Sequence, residues 1–249
     1  MLTVNKKKIT QYNKSKFKAK KKFLENGFHI EEKIFSNIEC INAIEESKKL
    51  DQYKNKKFMP EMMPHKTNKE FFSLMKKKKL LKIAKYFTYP SKDKIFAIQS
   101  TFFFGVPGTS GSSIHQDSYY VDPENPDSFI SAWIPLVDIN TNDMGNLVIY
   151  EKSHKYGKFD IVDDNKRKIN FQNTNLVRKK SKIKNLNKFK KNLVLIKKGS
   201  VVFMHSNLLH SSIDNSSDKN RYVLLVTYIK DKCKFRAGFE AKRKKIRVQ

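Results

Sequence analysis

The sequence predicts a mainly β fold, either a sandwich or a barrel, with helices flanking it. Short β-rich runs repeat between residues 94 and 229, and turn sequences separate them. Glycine marks several turns, as in Gly105-Val106-Pro107-Gly108 and Lys198-Gly199-Ser200. Helical patterns are confined to the first 90 residues, and neither a dinucleotide-binding glycine motif nor a P-loop is present. These observations favour an all-β core and argue against a nucleotide-binding α/β fold.

The first 90 residues are predicted to form helices that pack against the β core. Gly27 is a typical C-cap for the amphipathic segment that precedes it. Ser36 and Glu39 have the spacing of a capping box, in which each side chain accepts a backbone N–H at the start of a helix. In chain order we expect a helix at Ile9–Asn26, a strand at Phe28–Phe35, a helix from Ser36 to about Leu50, a loop at Met59–Thr67 and a helix from Asn68 to about Tyr86.

Residues 91–230 carry the predicted β core. Their apolar runs are rich in β-branched and aromatic residues, which is typical of strands. The predicted strands are Lys94–Phe104, Ser113–Val121, Phe129–Val137, Asn146–Tyr150, Asn192–Ile196, Ser200–His205 and Tyr222–Ile229. We expect one domain over residues 1–249, with a helical part at 1–90, the core at 91–230, an exposed basic insertion at about 158–192 and a basic C-terminal tail at 231–249.

Length and composition bound the class of protein. Hydrophobic residues make up 39% and aromatic residues 12% of the 249 residues, which is enough for a core and excludes global disorder. No apolar run is long enough to span a membrane, and the lysine-rich first 22 residues lack the apolar segment of a secretory signal. Two cysteines, Cys40 and Cys233, are too few for a disulfide framework. The sequence therefore predicts a soluble, cytoplasmic protein.

The net charge of +28 is concentrated in three segments without acidic residues. Residues 1–22 carry nine basic residues, residues 165–198 thirteen and residues 241–249 five, so the remainder of the chain is nearly neutral. One interpretation is a surface that binds nucleic acid or an acidic membrane. The other is a compositional bias, because Lys, Asn, Ile and Phe are all abundant, as an AT-rich genome would produce. The basic runs lack interleaved aromatic residues and zinc-finger spacing, which favours the second interpretation.

A histidine and an aspartate in one predicted strand suggest a metal site. His115 and Asp117 are two residues apart, so on a strand their side chains would point to the same face. Two histidines and one carboxylate form the facial triad of non-haem Fe(II) oxygenases, which leaves the remaining coordination positions open. The third ligand must come from a later strand, and both His205 and His210 are available there. The H-x-D pair alone is a weak signal, because such pairs are common.

Arg221 indicates that the site also binds a cosubstrate. It begins a predicted strand of otherwise apolar residues, and a buried guanidinium requires a partner. The fork of N–H groups on arginine suits a carboxylate. In an iron site of this type, the natural carboxylate is the distal end of 2-oxoglutarate, whose keto-acid end chelates the metal.

Several motifs together resemble the phytanoyl-CoA dioxygenase (PhyH-like) family of Fe(II)/2-oxoglutarate oxygenases. His115-x-Asp117, His210 and Arg221 eleven residues later match the metal and cosubstrate pattern of this family. Other segments similar to the family are Phe23–Phe28, Ser131–Asp138, Met144–Leu147, Ser153–Lys155, Gly199–Phe203 and the set His210-Ser211-Ser212, Asn215, Ser217.

The resemblance implies a double-stranded β-helix, or cupin-like jelly roll, with flanking helices. It implies Fe(II) held by His115, Asp117 and His210, and 2-oxoglutarate held by Arg221. Three further residues are implied to line the cosubstrate: Ser212, Trp133 and Gln99. Trp133 is equally compatible with a plain core position. The implied activity is an O₂-dependent oxidation, typically hydroxylation, coupled to decarboxylation of 2-oxoglutarate to succinate.

Two features of the sequence bear on the expected substrate and on the expected reaction. The segment Gly105–Gly108 stands where the family often has a lysine-proline pair, and nothing in the chain indicates recognition of CoA. The presence of Asp117 favours hydroxylation over halogenation, because related halogenases lack this carboxylate. We therefore expect a small-molecule substrate, with nucleic acid disfavoured and the oligomeric state open. A protein or nucleic-acid oxygenase of the same fold and a non-catalytic β-helix binding module are the alternatives.

Overall fold

The computed structural model describes residues 17–164, 179–239 and 241–249. The first part of the helix predicted at Ile9–Asn26 and the central part of the basic insertion lie outside these residues. Within them, no helix is both long and apolar enough to cross a membrane.

Helices form most of the N-terminal part, as predicted. They are α1 (residues 17–26), α2 (Asn37–Ser47), α3 (Asp51–Lys54), α4 (Lys69–Met75), α5 (Lys78–Phe87) and, further along the chain, α6 (Ser118–Val121). The predicted capping box is present at the start of α2, because the Ser36 hydroxyl accepts the Glu39 N–H and the Glu39 carboxylate accepts the Ser36 N–H.

The helix predicted over Asn68–Tyr86 is two helices, α4 and α5. A continuous helix that buries Leu74 and Met75 would next bury positions 78 and 79, but both are lysines. The backbone leaves the helical conformation at Lys77, where φ is −56° and ψ is 118°. This break rotates the apolar face of α5 onto the core.

Strands make up the rest of the chain that the structure describes. In order they are β1 (Phe28–Glu31), β2 (Glu61–Met62), β3 (Ile95–Phe103), β4 (Phe129–Pro135), β5 (Leu147–Tyr150), β6 (Ile161–Asp163), β7 (Lys179–Ser181), β8 (Lys191–Leu193), β9 (Val201–His205), β10 (His210–Ser212), β11 (Val223–Lys230) and β12 (Ile246–Arg247). The main sheet has the order β1-β9-β4-β11-β3-β12, with β2 also on β3. A second sheet has the order β10-β5-β8, and β6 pairs with β7.

The main sheet separates two apolar layers. One face, which includes Phe102 and Tyr228, packs against the helices. The other face, which includes Val202 and Val223, packs against Leu147 of the second sheet. All strand pairs are antiparallel, as in a jelly roll. The space between the two sheets, called the barrel interior below, contains every predicted site residue that lies on a regular strand.

The strand predicted over Ser113–Val121 is wrong. His115 makes only an isolated bridge with His210, and the chain turns into α6 at Ser118. The β-branched and aromatic residues of this segment suggested a strand, whereas the backbone at Asp117 is right-handed helical, with φ −64° and ψ −28°. The loop predicted at Met59–Thr67 also contains the short strand β2, which pairs with β3.

Candidate metal centre

Two backbone hydrogen bonds bring the predicted metal ligands together. The His115 N–H donates to the His210 carbonyl at 2.9 Å, and the His210 N–H donates back to the His115 carbonyl at 3.0 Å. This exchange fixes the two histidines opposite each other. Asp117 follows at the start of α6, so the helical turn, rather than strand alternation, returns its carboxylate to the imidazoles.

The three side chains form a compact donor set. Asp117 Oδ1 lies 3.9 Å from His115 Nε2 and 3.6 Å from His210 Nε2. The ligand atoms of the three residues all lie within 4.8 Å of one another. Asp117 and His210 are buried and His115 is half-buried, so the set sits inside the barrel with one side reachable. Two imidazole nitrogens and one carboxylate oxygen at this spacing suit a divalent first-row metal such as Fe(II).

Hydrogen bonds fix the tautomers of both imidazoles. Nδ1 of His115 donates to the Ser113 carbonyl at 2.7 Å, and Nδ1 of His210 donates to the Leu208 carbonyl at 2.9 Å. Because a carbonyl only accepts, the proton is on Nδ1 and the lone pair of Nε2 faces Asp117. Burial, together with the nearby His210, lowers the pKa of His115 to about 4. His115 is therefore neutral at physiological pH, as ligation requires.

Ser131 supports Asp117, and no sequence motif predicts this role. Its hydroxyl donates to Asp117 Oδ2, which leaves Oδ1 on the side of the imidazoles. Ser131 lies on β4 and is fully buried, so only the fold brings it to a carboxylate fourteen residues earlier. Groups that orient a metal ligand in this way tune the affinity of the site.

Removal of the Ser131 hydroxyl should therefore weaken metal binding. We expect Ser131→Ala to lower Fe(II) affinity roughly ten- to a hundred-fold, as loss of an outer-shell hydrogen bond typically does. Anaerobic titration with Fe(II) measures this effect. Ser128→Ala is the matched control, because it removes a buried serine hydrogen bond, to the Tyr89 carbonyl, away from the metal ligands. Equal affinities in both variants would contradict the assigned role.

Arg221 is a buried cation without a counter-charge. Only 7% of its surface is exposed, and burial lowers its pKa to about 10. Within the described residues its side chain has no hydrogen bond or ion pair, and its Nε is buried and unpartnered. The guanidinium packs on Gly105, where a Cβ atom would lie 2.9 Å from Nε. Such a group calls for an anionic ligand that is not part of the protein.

The family follows from the sequence match. The model of the family described as phytanoyl-CoA dioxygenase (PhyH) matches residues 23–223. The chain belongs to the phytanoyl-CoA dioxygenase family. Members are Fe(II)- and 2-oxoglutarate-dependent oxygenases, and the two-sheet architecture confirms the predicted jelly roll. Among curated proteins, no sequence match is significant.

Solved structures share this PhyH-family fold. The epimerase SnoN in complex with Fe³⁺, alpha ketoglutarate and nogalamycin RO is 12% identical, with a TM-score of 0.73 over 90% of this chain and 87% of that chain. The carbocyclase SnoK from nogalamycin biosynthesis is 18% identical, with a TM-score of 0.68; the match covers 90% of this chain and 87% of SnoK. EvdO2 from Micromonospora carbonacea var. aurantiaca, complexed with 2-oxoglutarate, is 14% identical, with a TM-score of 0.66; the match covers 86% of this chain and 90% of EvdO2.

In this PhyH-family chain, His205 does not join the donor set. Its Nε2 donates to Asp127 Oδ1 at 2.8 Å, and its Nδ1 accepts the Asn207 N–H at 3.1 Å. Both ring nitrogens are therefore engaged, and the ring lies beside His154. His154 in turn donates to the Leu24 carbonyl near the end of α1 at 3.1 Å, which is a structural contact away from the donor set.

The other predicted cosubstrate residues face the barrel interior. Ser212 pairs with Leu147 on the second sheet, and its hydroxyl accepts the Ser112 N–H at 2.7 Å. Trp133 lies in the apolar cluster between the sheets. Gln99 is buried on β3, where its amide donates to Thr101 and its Oε1 accepts from Arg243. Arg243 has no signal in the sequence beyond its place in a basic segment.

Proposed function

We propose that this protein hydroxylates, or otherwise oxidises, a small-molecule metabolite, coupled to decarboxylation of 2-oxoglutarate to succinate. The observation that carries this proposal is the coexistence of two features in one barrel. One is a donor set of two imidazoles and a carboxylate, and the other is a buried guanidinium that has no partner among the described residues. The first fits Fe(II) and the second fits the distal carboxylate of 2-oxoglutarate.

Each residue then has a defined role. His115, Asp117 and His210 would hold Fe(II) on one face and leave the opposite face open. Arg221 would bind the distal carboxylate of 2-oxoglutarate, and the Ser212 hydroxyl would share it. Trp133 and Gln99 remain predicted contacts of the cosubstrate.

The chain supplies orientation and a dry environment, while the bound iron and 2-oxoglutarate supply the oxidation of a C–H bond by O₂. Ser131 holds the Asp117 carboxylate toward the imidazoles, and backbone carbonyls hold both rings in one tautomer. The apolar side chains of the barrel interior exclude water from this region. A site of this kind protects a reactive centre from side reactions.

A small molecule fits better than a macromolecule. The ligand atoms lie inside the barrel, and Asp117 is only 8% exposed. Two proteins with similar structures, SnoN and SnoK, are named as enzymes of nogalamycin biosynthesis, and SnoN is also described in complex with nogalamycin RO. Both cysteines are buried and unpaired, which fits the reducing cytoplasm that we propose as the location.

The test is succinate formation by the protein reconstituted with Fe(II) and 2-oxoglutarate in air. We expect small metabolites to stimulate succinate release, and peptides and oligonucleotides to leave it at the level without substrate. Stimulation by peptides or oligonucleotides instead would favour the macromolecular alternative. Absence of any Fe(II)-dependent succinate with every class, including the slow uncoupled reaction, would favour a non-catalytic module.

A further inference from the structure

The last nine residues are built into the fold rather than left as a solvated tail. Within this segment, called the C-terminal strap (residues 241–249), β12 pairs with the edge of β3, with Ile246 opposite Ala97. Five basic residues lie on the strap, and Arg243 is the one that is buried, with 8% of its surface exposed. Arg247, on the same strap, is exposed. Compositional bias toward basic residues accounts for exposed cations but not for a buried one.

All contacts of the buried Arg243 guanidinium are neutral. Nε donates to Gln99 Oε1 at 2.5 Å, and Nη1 donates to the carbonyls of Tyr120 at 3.3 Å and Ala237 at 3.2 Å. Within residues 17–164, 179–239 and 241–249, no carboxylate forms an ion pair with Arg243, and Nη2 makes no hydrogen bond. A buried guanidinium in this state is costly unless something else supplies the charge.

Contacts with Ala237 and Gly238 place this guanidinium. The Arg243 N–H donates to the Ala237 carbonyl at 2.9 Å. Gly238 lies directly against the side chain, and a Cβ atom there would be 2.6 Å from Nη1 of Arg243. The backbone at Gly238 therefore leaves room for the arginine.

The position of Arg243 is next to the metal ligands. Gln99 pairs with Thr227 on β11, and Thr227 pairs with Ser131 on β4, whose hydroxyl binds Asp117. The ring of Tyr120, whose carbonyl Arg243 contacts, packs edge-on against His115 with centroids 5.7 Å apart. Burial and the nearby Arg236 lower the pKa of Arg243, and the carboxylate of Asp117 acts in the opposite direction. Only Tyr120 therefore separates Arg243 from His115 along this chain of contacts, and both residues lie in the same part of the barrel.

Arg221 and Arg243 are too far apart along the sheet to serve one small cosubstrate anchor. Arg221 packs on Gly105, which lies beyond the end of β3, whereas Arg243 contacts Gln99 in the middle of β3. From Gln99 to Phe103, where β3 ends, the rise of the strand alone is about 13 Å. The distal carboxylate of 2-oxoglutarate can engage only one of the two.

We propose that Arg243 is a substrate-binding residue that recognises an anionic group, a carboxylate or a phosphate, on the small-molecule substrate. The proposal rests on the proposed function, because it assigns Arg221 to 2-oxoglutarate. The Nη2 group supplies the free donors, and Gln99 and the two carbonyls hold the guanidinium in one orientation. The C-terminal strap thereby selects acidic substrates over neutral ones.

The test uses protein loaded with Fe(II) and excess 2-oxoglutarate in the absence of O₂. The probes are two matched pairs, benzoate with benzamide and phenyl phosphate with phenol. Enhancement of probe proton relaxation by Fe(II), relative to protein loaded with Zn(II), reports binding near the metal and gives dissociation constants. We expect at least one anion to bind more tightly than its neutral partner, and the preferred pair distinguishes a carboxylate from a phosphate.

Arg243→Gln should weaken binding of the anion roughly ten- to a hundred-fold and leave the neutral probe unchanged, because a charge-assisted hydrogen bond is lost. Arg243→Lys should retain part of the preference. Arg247→Gln is the matched control from the same strap and should behave as the wild type. The midpoint of the 2-oxoglutarate titration should be the same in all three variants.

Two results would overturn the proposal. One is equal binding of each anion and its neutral partner, and the other is unchanged anion binding in folded Arg243→Gln. A loss of 2-oxoglutarate binding in this variant would assign Arg243 to the cosubstrate instead. Failure of the wild type to bind Fe(II) and 2-oxoglutarate would refute the proposed function. Anion binding by Arg243 can still be tested in that case, because saturation-transfer measurements on metal-free protein compare each anion with its neutral partner.

Discussion

Asp117→Ala is expected to abolish turnover of 2-oxoglutarate and most of the Fe(II) binding. Asp117 supplies the single negative charge of the donor set, and its Oδ1 lies within 4 Å of both imidazole Nε2 atoms. Two imidazoles alone would hold Fe(II) weakly and without the third facial position. Asp117→Asn removes the charge but keeps an oxygen that can accept from Ser131, so it should retain some metal binding and little turnover.

Asp122 provides a matched control on the same short helix. It lies at the end of α6, is exposed and pairs with Lys158. Its φ of 49° is a conformation that asparagine tolerates, so Asp122→Asn changes charge with little backbone cost. Succinate release and anaerobic Fe(II) titration should distinguish the two positions clearly. Unchanged turnover in a folded Asp117→Ala protein would remove Asp117 from the metal centre.

The sequence predicted the three candidate metal ligands that the fold brings together, although the local structure assumed for them was wrong. The H-x-D spacing was interpreted as strand alternation, but Asp117 reaches the imidazoles through the first turn of α6. The prediction depended on the chemistry of the residue types and on the position of Arg221 after His210, rather than on the local backbone. The capping box at Ser36 was predicted correctly, because all of its interactions lie within four residues.

Ser131 and Arg243 could not be predicted, because their roles depend on long-range register. Ser131 contacts Asp117 only because β4 lies in the sheet beside β11, and a buried serine on a strand carries no motif. Arg243 looked like one more residue of a basic segment, since charge patterns do not show which cation the fold buries. The pairing of β12 with β3 determines that Arg243 is buried, and this pairing joins segments about 150 residues apart.

Arg221→Met should raise the stability of the ligand-free protein while it removes 2-oxoglutarate binding. The guanidinium is buried and has no partner within the described residues, so a side chain of similar length without charge relieves a desolvation cost. We expect the free energy of unfolding to rise by about 1–3 kcal/mol, which is the typical cost of a buried polar group without a partner. Affinity for 2-oxoglutarate should fall roughly a hundred-fold or more, since both arms of a charge-assisted fork are lost.

The two effects together predict an inversion of thermal stability. Without 2-oxoglutarate, Arg221→Met should melt above the wild type. Saturating Fe(II) and 2-oxoglutarate should raise the melting temperature of the wild type alone, because only the native wild type binds the ligand.

Arg221→Lys keeps the charge without the fork, so its 2-oxoglutarate titration midpoint should rise roughly ten- to a hundred-fold. Exposed Arg247→Met is the control and should follow the wild type in both conditions. If 2-oxoglutarate still stabilised the Arg221→Met protein as much as the wild type, another residue would anchor the cosubstrate. Few alternatives exist in this part of the barrel, because the segment Gly105–Gly108 contains no lysine.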